Sequence, residues 1–350
     1  MKEEFNIPSI DGLRAVSISI VFIAHAGYGY IIPGGFGVTV FFFLSGYLIT
    51  TLLAREWGRY GSISLEAFYL RRVLRLGPPI LMTICVSSLL VFLGVVDGRP
   101  DFMTTMSQIF FFYNYFSLTD AGVETATGLN VLWSLAVEEH FYLVWPALFI
   151  LLAAGRFGVR HQVALLVAIL IWRGVRYAWF GSDEWTIYIS TDTRFDSLLY
   201  GCLLALLTWR GYAARIFRPG VVARVGWLAV GLVVSLACLL IRDPAFRSIL
   251  RYSLQGLALM PIFHYAVTNP ADPWFRPLNW PALRRIGQWS YTIYLVHYVI
   301  ISALIYNGVA ASGDPLLIAA AAALSITFAA ASYRWLEKPL HPLRRRLTGH

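Results

Sequence analysis

Residues 13–35 read LRAVSISIVFIAHAGYGYIIPGG. The run is apolar enough to lie in lipid, yet it opens on Arg14 and holds His25 in its interior. No formal charge occurs between Arg14 and Arg55, and the turn Pro33-Gly34-Gly35 divides the stretch. A spanning helix needs about 20 mostly apolar residues, so two spans fit, roughly 13–30 and 36–54. At about 100° per residue, Arg14 and His25 fall on one helix face, separated by a rise of about 16 Å. Arg14 then sits near a membrane edge and His25 near or past the midplane. An ionisable group at that depth needs a cavity or a partner. His25 is therefore either a neutral histidine packed with one hydrogen bond, or a general base at the end of a polar conduit.

The rest of the chain follows the same pattern. Of 350 residues, 58% are hydrophobic and 13% charged, with a mean hydropathy of +0.64; soluble domains carry about 25% charged residues. Further apolar stretches fall near 77–96, 131–153, 162–180, 194–209, 222–241, 249–267, 287–307 and 315–334. The segment DFMTTMSQIFFFYNYFSLTD is long enough to cross, but crossing would scramble the arginines. If it does not cross, the arginines of 55–75, 156–160, 210–218, 276–285 and 344–346 share one side, and most acidic gaps the other. Basic residues mark the cytoplasmic side. The expectation is an all-α polytopic transmembrane bundle forming one domain over residues 1–350. It has about ten spanning helices, a non-crossing or re-entrant segment near 102–118, and both termini in the cytoplasm.

The net charge of +9 comes almost wholly from arginine, since Lys2 and Lys338 are the only lysines. These bases sit in short gaps between apolar runs, which fits membrane orientation better than nucleic-acid binding. Cys85, Cys202 and Cys238 lie in apolar runs and suggest packing rather than disulfides. The first twelve residues carry no clear cleavage signal. The basic gap from Arg55 to Arg75 has the look of an interfacial helix, and Pro78-Pro79 is expected to end or restart a helix.

Five more clusters stand out. Arg71, Arg72 and Arg75 crowd one end of the third span, either as a positive-inside anchor or as a phosphate site suited to guanidinium forks. Glu138 and Glu139 stand one turn into a span near Trp133; adjacent acids cannot share a face, so at least one turns inward. Asp192, Arg194 and Asp196 precede a short span, as a salt-bridge cluster or as part of a site. His297 lies about ten residues into the ninth span. Gly35, Gly37 and Gly46 permit close helix approach, with Ser45 and Tyr47 as cavity lining. There is no phosphate loop, metal-ligand spacing or nucleophile elbow.

In order, IDGLRAVSISIVFIAH, GGFGVTVFFFLSGYLI, FYLRRVLRLGPP, WSLAVEEHFYLVWP, TRFDSLLYG, SYTIYLVH and RWLEKPL resemble the acyltransferase-3 family of integral-membrane O-acyltransferases. The resemblance covers nearly the whole chain. It implies transfer of an acyl group, acetyl by default, from cytoplasmic acyl-CoA to a hydroxyl of a glycan or another extracytoplasmic or membrane-associated acceptor. Acyl-CoA would be a co-substrate, with no cofactor held permanently. Arg14, Arg71, Arg72 and Arg75 would bind the CoA phosphates. His25 would be the general base, with Glu138 and Glu139 orienting it or shaping the acceptor side. Ser45, Tyr47, Trp133, Asp192, Arg194, Asp196 and His297 would shape or support the acceptor side. The chain ends soon after its last span, as expected of a stand-alone member without the hydrolase-like domain that some members carry. The rival reading is a transporter or flippase with a polar path, although paired half-repeats are absent.

Overall fold

The computed structural model describes residues 7–99, 101–122 and 127–347; Lys2, Glu124 and the side chains of Arg344 to Arg346 lie outside the description. Among the described residues there are helices and no strand. In chain order they are α1 (Pro8–Ile23), α2 (Gly34–Tyr60), α3 (Leu65–Phe92), α4 (Phe102–Ile109), α5 (Tyr113–Phe116), α6 (Trp133–Ala153) and α7 (Val159–Ala178). They continue with α8 (Glu184–Ile189), α9 (Thr191–Trp209), α10 (Ala213–Ile216), α11 (Val221–Leu240) and α12 (Pro244–Ile249). The last four are α13 (Arg251–Thr268), α14 (Pro281–Tyr306), α15 (Pro315–Ser332) and α16 (Lys338–Leu347).

A long helix lies on each of the ten stretches expected to span. Seven are long and apolar enough to cross a membrane: α1 extended to Tyr28, α2, α3, α6 extended back to Leu129, α11, α14, and α15 extended to Leu343. The other three, α7, α9 and α13, carry polar side chains within the apolar stretch, among them the buried Arg173, Arg194, Asp196 and His264. Segment 102–118 breaks into α4 and α5 around Phe111, whose φ is +59°. At 1.5 Å per residue neither piece reaches across a bilayer.

Two expectations are corrected. The gap from Arg55 to Arg75 is no separate interfacial helix. It is the last turns of α2 and the first turns of α3, divided at Ser64, whose hydroxyl accepts the Ala67 N–H. Nor do Pro78 and Pro79 end a helix, because α3 runs through both. Proline is tolerated in membrane helices where side chains and neighbouring helices occupy the disturbed carbonyls. The carbonyls whose intrahelical N–H the two prolines remove are those of Leu74 and Arg75. The same stretch carries two further side-chain bonds, from the Tyr291 hydroxyl to the Leu76 carbonyl at 3.1 Å and from Thr83 Oγ1 to Pro79 O at 2.9 Å.

Several acids expected at one membrane face have local work as helix caps. The carboxylates of Asp101, Asp183 and Asp314 accept the N–H groups of Thr104, Thr186 and Leu316. A side-chain acceptor there satisfies one orphan donor of the first turn. At Asp101 these bonds hold the carboxyl below its ordinary range, the Thr104 N–H contributing most.

The chain divides into two compact units, each built from segments far apart in sequence. One takes the chain up to Arg14, Val38–Ile63 and Val137–Arg284; the other takes Ala15–Gly37, Ser64–Ala136 and the chain from Arg285 on. In the first unit, α9 packs against α7 and α13, and α13 against α11. In the second, α16 packs against α3, and Phe22, Ala26, Ile301, Leu317 and Ala321 form a buried cluster.

Gly46 of α2 and Gly201 of α9 decide how close two helices of the first unit come. The Leu198 carbonyl oxygen occupies the place of a Cβ on Gly46, and the Phe43 carbonyl oxygen that of a Cβ on Gly201. Small residues at such crossings let backbones touch. Gly201→Leu is therefore expected to abolish the monodisperse peak in size-exclusion chromatography in detergent. Gly174→Ala, at a position with no neighbour within 4 Å, should elute as the parent does.

Candidate active site

In the second unit, α1 stops being α-helical at Ile23 and widens into a π turn over Ala24–Tyr28. His25 stands in that turn. Gly27 closes it with φ +115°, a conformation that glycine alone adopts without strain. The loop after α14 pins the break: Gly313 N–H donates to Ala26 O at 2.8 Å, and the Tyr28 hydroxyl donates to Gly313 O at 2.9 Å. The count of 100° per residue from Arg14 thus holds only to Ile23, and the π turn sets the direction of His25. Such turns recur at functional positions.

His25 Nδ1 lies 2.8 Å from Nε2 of His297 on α14. The ring planes differ by 9° and the centroids are 5.1 Å apart. That separation is the bond length plus one ring radius at each end, so the rings meet edge to edge in a common plane rather than face to face. Tyr298 covers one face of His25 at 4.6 Å between centroids. His297 is fully buried, and its Nδ1 lies 2.7 Å from the Tyr294 carbonyl oxygen. The Tyr294 hydroxyl donates to Val131 O at 3.0 Å and pairs with Ser134 Oγ at 2.7 Å. His25 is only partly buried, and its Nε2 has no hydrogen-bond partner among the described residues. Phe22 lies 6.1 Å from His297, ring to ring. It also lines an apolar cavity of about 220 Å³ together with Ile18, Ile293 and Ile318.

Arg71, Arg72 and Arg75 occupy the first turns of α3 in the same unit, the first two half-buried and the third exposed. Arg72 and Arg75, three residues apart, share a helix face. Trp133 is buried at the start of α6.

The first unit holds the remaining candidates. Arg14 is half-buried on α1. Ser45 Oγ donates to Glu138 Oε1 at 2.7 Å, which ties α2 to α6. His140 Nδ1 pairs with Thr191 Oγ1 at 2.8 Å. Tyr47 is buried, and its carbonyl accepts the Thr51 hydroxyl.

Asp192 turns to a partner of its own, whereas Arg194 and Asp196 belong to one buried group with Arg173 and Tyr252, the Tyr252 ring lying under both guanidinium groups. Asp192 pairs with Arg176 at 3.2 Å. Asp196 pairs with Arg173 at 2.8 Å, both fully buried, and accepts the Ser253 hydroxyl at 2.9 Å. Arg194, also fully buried, places its guanidinium 3.8 Å from the Tyr252 ring centroid and donates to Thr39 Oγ1 at 3.1 Å. Sequence reading missed Arg173, Tyr252 and Ser253. The signal was present in WRGVR, where an arginine interrupts an apolar stretch with no acid nearby in sequence.

These features define a membrane-embedded helical protein with an ionisable centre built on a helix break. The acyltransferase-3 family profile, described as an acyltransferase domain, matches residues 7–334, and the chain belongs to that family. Among curated proteins, the peptidoglycan O-acetyltransferase OatA of Listeria monocytogenes is 30% identical over 95% of this chain and 56% of its own length. The O-acetyltransferase OatA of Staphylococcus aureus (strain NCTC 8325 / PS 47) is 31% identical over 95% of this chain and 57% of its own. The chain thus spans a little over half the length of these relatives. No solved structure matches.

The buried ion pair gives a stability prediction. Asp196→Asn leaves the Arg173 charge without its counterion and should cost about 3–5 kcal/mol. The double variant Arg173→Met, Asp196→Leu removes both charges and should melt at a higher temperature in detergent than Asp196→Asn.

Proposed function

We propose that the chain is a membrane O-acyltransferase that moves an acetyl group from cytoplasmic acyl-CoA to a glycan hydroxyl. The observation that carries this reading is the His25–His297 hydrogen bond at the break of α1, in a member of an acyltransferase family. Membership in that family gives no support to transport as the function. The name of one relative, a peptidoglycan O-acetyltransferase, specifies peptidoglycan as the glycan it modifies, and a peptidoglycan-type sugar is the acceptor class to try first. Ten membrane crossings with both termini cytoplasmic belong to the same proposal, since that arrangement puts the α3 arginines on the side where acyl-CoA is found.

The residues divide the work. Arg71, Arg72 and Arg75 hold the phosphates and ribose phosphate of the donor, a task suited to guanidinium forks. His25 Nε2 takes the proton of the acceptor hydroxyl as the oxygen attacks the thioester carbonyl. An O–C bond forms and the C–S bond breaks. The thiolate then recovers the proton from His25 Nε2 and leaves as free CoA. The apolar cavity lined by Phe22 provides dry space in the same unit. Glu138, tied to Ser45, together with Glu139, Asp192, Arg194 and Asp196, supports the acceptor side. Trp133 and Tyr47 contribute buried aromatic surface.

Positioned base catalysis contributes about 10²–10⁴-fold. His25→Gln is therefore expected to lower CoA-thiol release, measured with a muropeptide acceptor, by that factor while acetyl-CoA binding stays within about twofold. The double variant Arg72→Ala, Arg75→Ala should instead weaken acetyl-CoA binding at least tenfold, from the loss of two charge-assisted contacts. Donor binding that is insensitive to the arginines would overturn the site assignment.

A further inference from the structure

We propose that His297 is a positioning residue that fixes the tautomer of His25, so that His25 presents a bare Nε2 to the acceptor hydroxyl. The proposal rests on His25 being the base. Its own content, however, is where two protons lie.

The argument starts at a carbonyl. The Tyr294 oxygen carries no proton, so the hydrogen on the 2.7 Å contact belongs to His297 Nδ1. A neutral imidazole has one N–H, so His297 Nε2 is an acceptor. His25 Nδ1 lies 2.8 Å from that acceptor and must carry the second proton. His25 Nε2 is then the remaining lone pair. The opposite placement on His25 would set two lone pairs against each other across 2.8 Å. A doubly protonated His297 would be a fully buried cation with no acidic partner among the described residues, an expensive state in a membrane helix.

The near-coplanar rings agree with this assignment, since an N–H···N bond lies in the plane of both imidazoles. Tyr298 against one face of His25 restricts the ring from turning out of that plane. Left to itself, a neutral histidine favours the proton on Nε2, which would offer the acceptor an N–H instead of a base. The bond to His297 reverses that preference. It also strengthens once His25 takes up the acceptor proton, because the donor Nδ1–H then belongs to a cation.

Two substitutions separate this role from packing. In His297→Gln the side-chain carbonyl reaches the place of the imidazole Nε2 and keeps an acceptor for His25. In His297→Asn the amide stops at the place of Nδ1, and His25 loses its acceptor. Nitrogen-15 spectra of the full chain in nanodiscs, labelled at histidine and assigned with His25→Gln, read the tautomer directly.

The expected result is a protonated Nδ1 and bare Nε2 on His25 in the parent and in His297→Gln, and a shift toward protonated Nε2 in His297→Asn. Turnover should stay within about tenfold for Gln. It should fall about 10²–10⁴-fold for Asn, the range of a base lost, with the donor KM within about twofold. A protonated Nε2 on His25 in the parent, or an unchanged tautomer in His297→Asn, overturns the proposal. If His297→Asn does not fold, the parent spectrum alone still decides. A tautomer that follows the proposal while turnover ignores His25→Gln would leave the tautomer assignment standing and remove the base reading instead.

Discussion

A hydrogen bond between two neutral imidazoles, His25 Nδ1 to His297 Nε2 at 2.8 Å, ties together the parts of the second unit that matter for chemistry. In a bundle surrounded by lipid, a polar side chain must find a protein partner or water, and water is scarce. His297 meets that demand twice, at the Tyr294 carbonyl and at His25. His25 meets it once and keeps a nitrogen over. The helix break serves the same end. A regular α-helix through Ala24–Tyr28 would point the ring elsewhere, and the Gly313 contacts hold the break open against the pull of helix regularity.

The first unit solves the same problem with full charges. Arg173 and Asp196 neutralise each other, whereas Arg194 relies on the Tyr252 face, a cation–π contact worth about 2 kcal/mol or more when desolvated. Closely packed backbones accompany this polar interior. Where α2 meets α9, Gly46 and Gly201 leave no room for a side chain, and Ser45, next to the first of them, is already engaged by Glu138. Packing and polar pairing are therefore constraints on the same few residues.

Much of this was legible in the sequence because lipid imposes a simple rule on composition. The ten long helices fall where the apolar stretches lie, and segment 102–118, set apart by the sorting of the arginines, is the one that breaks into two short helices. His25 stood out as an ionisable group where none should be. What the sequence withheld was partner choice. Nothing in the spacing of His25 and His297, 272 residues apart, says that their rings share a plane. Likewise, of Asp192, Arg194 and Asp196, the first turns to Arg176 while the other two enter one buried group with Arg173 and Tyr252, a division that the two-residue spacing does not announce. The proline pair misled for a related reason: whether a helix runs on through proline depends on what surrounds the carbonyls four residues back, and that is a tertiary fact. The π turn was also hidden, since the glycine that permits it looks like any other glycine in an apolar run.

Selective acylation of histidine tests the central claim most directly. Diethyl pyrocarbonate attacks an unprotonated, accessible imidazole nitrogen, and the chain has seven histidines to choose among. Treating the purified protein and following each histidine by peptide mass spectrometry, alongside CoA-thiol release, ranks them. The account predicts that turnover is lost in step with modification of His25, that His297 is spared, and that acetyl-CoA protects His25. Loss of turnover that tracks another histidine while His25 remains unmodified, or full turnover with His25 modified, would contradict it.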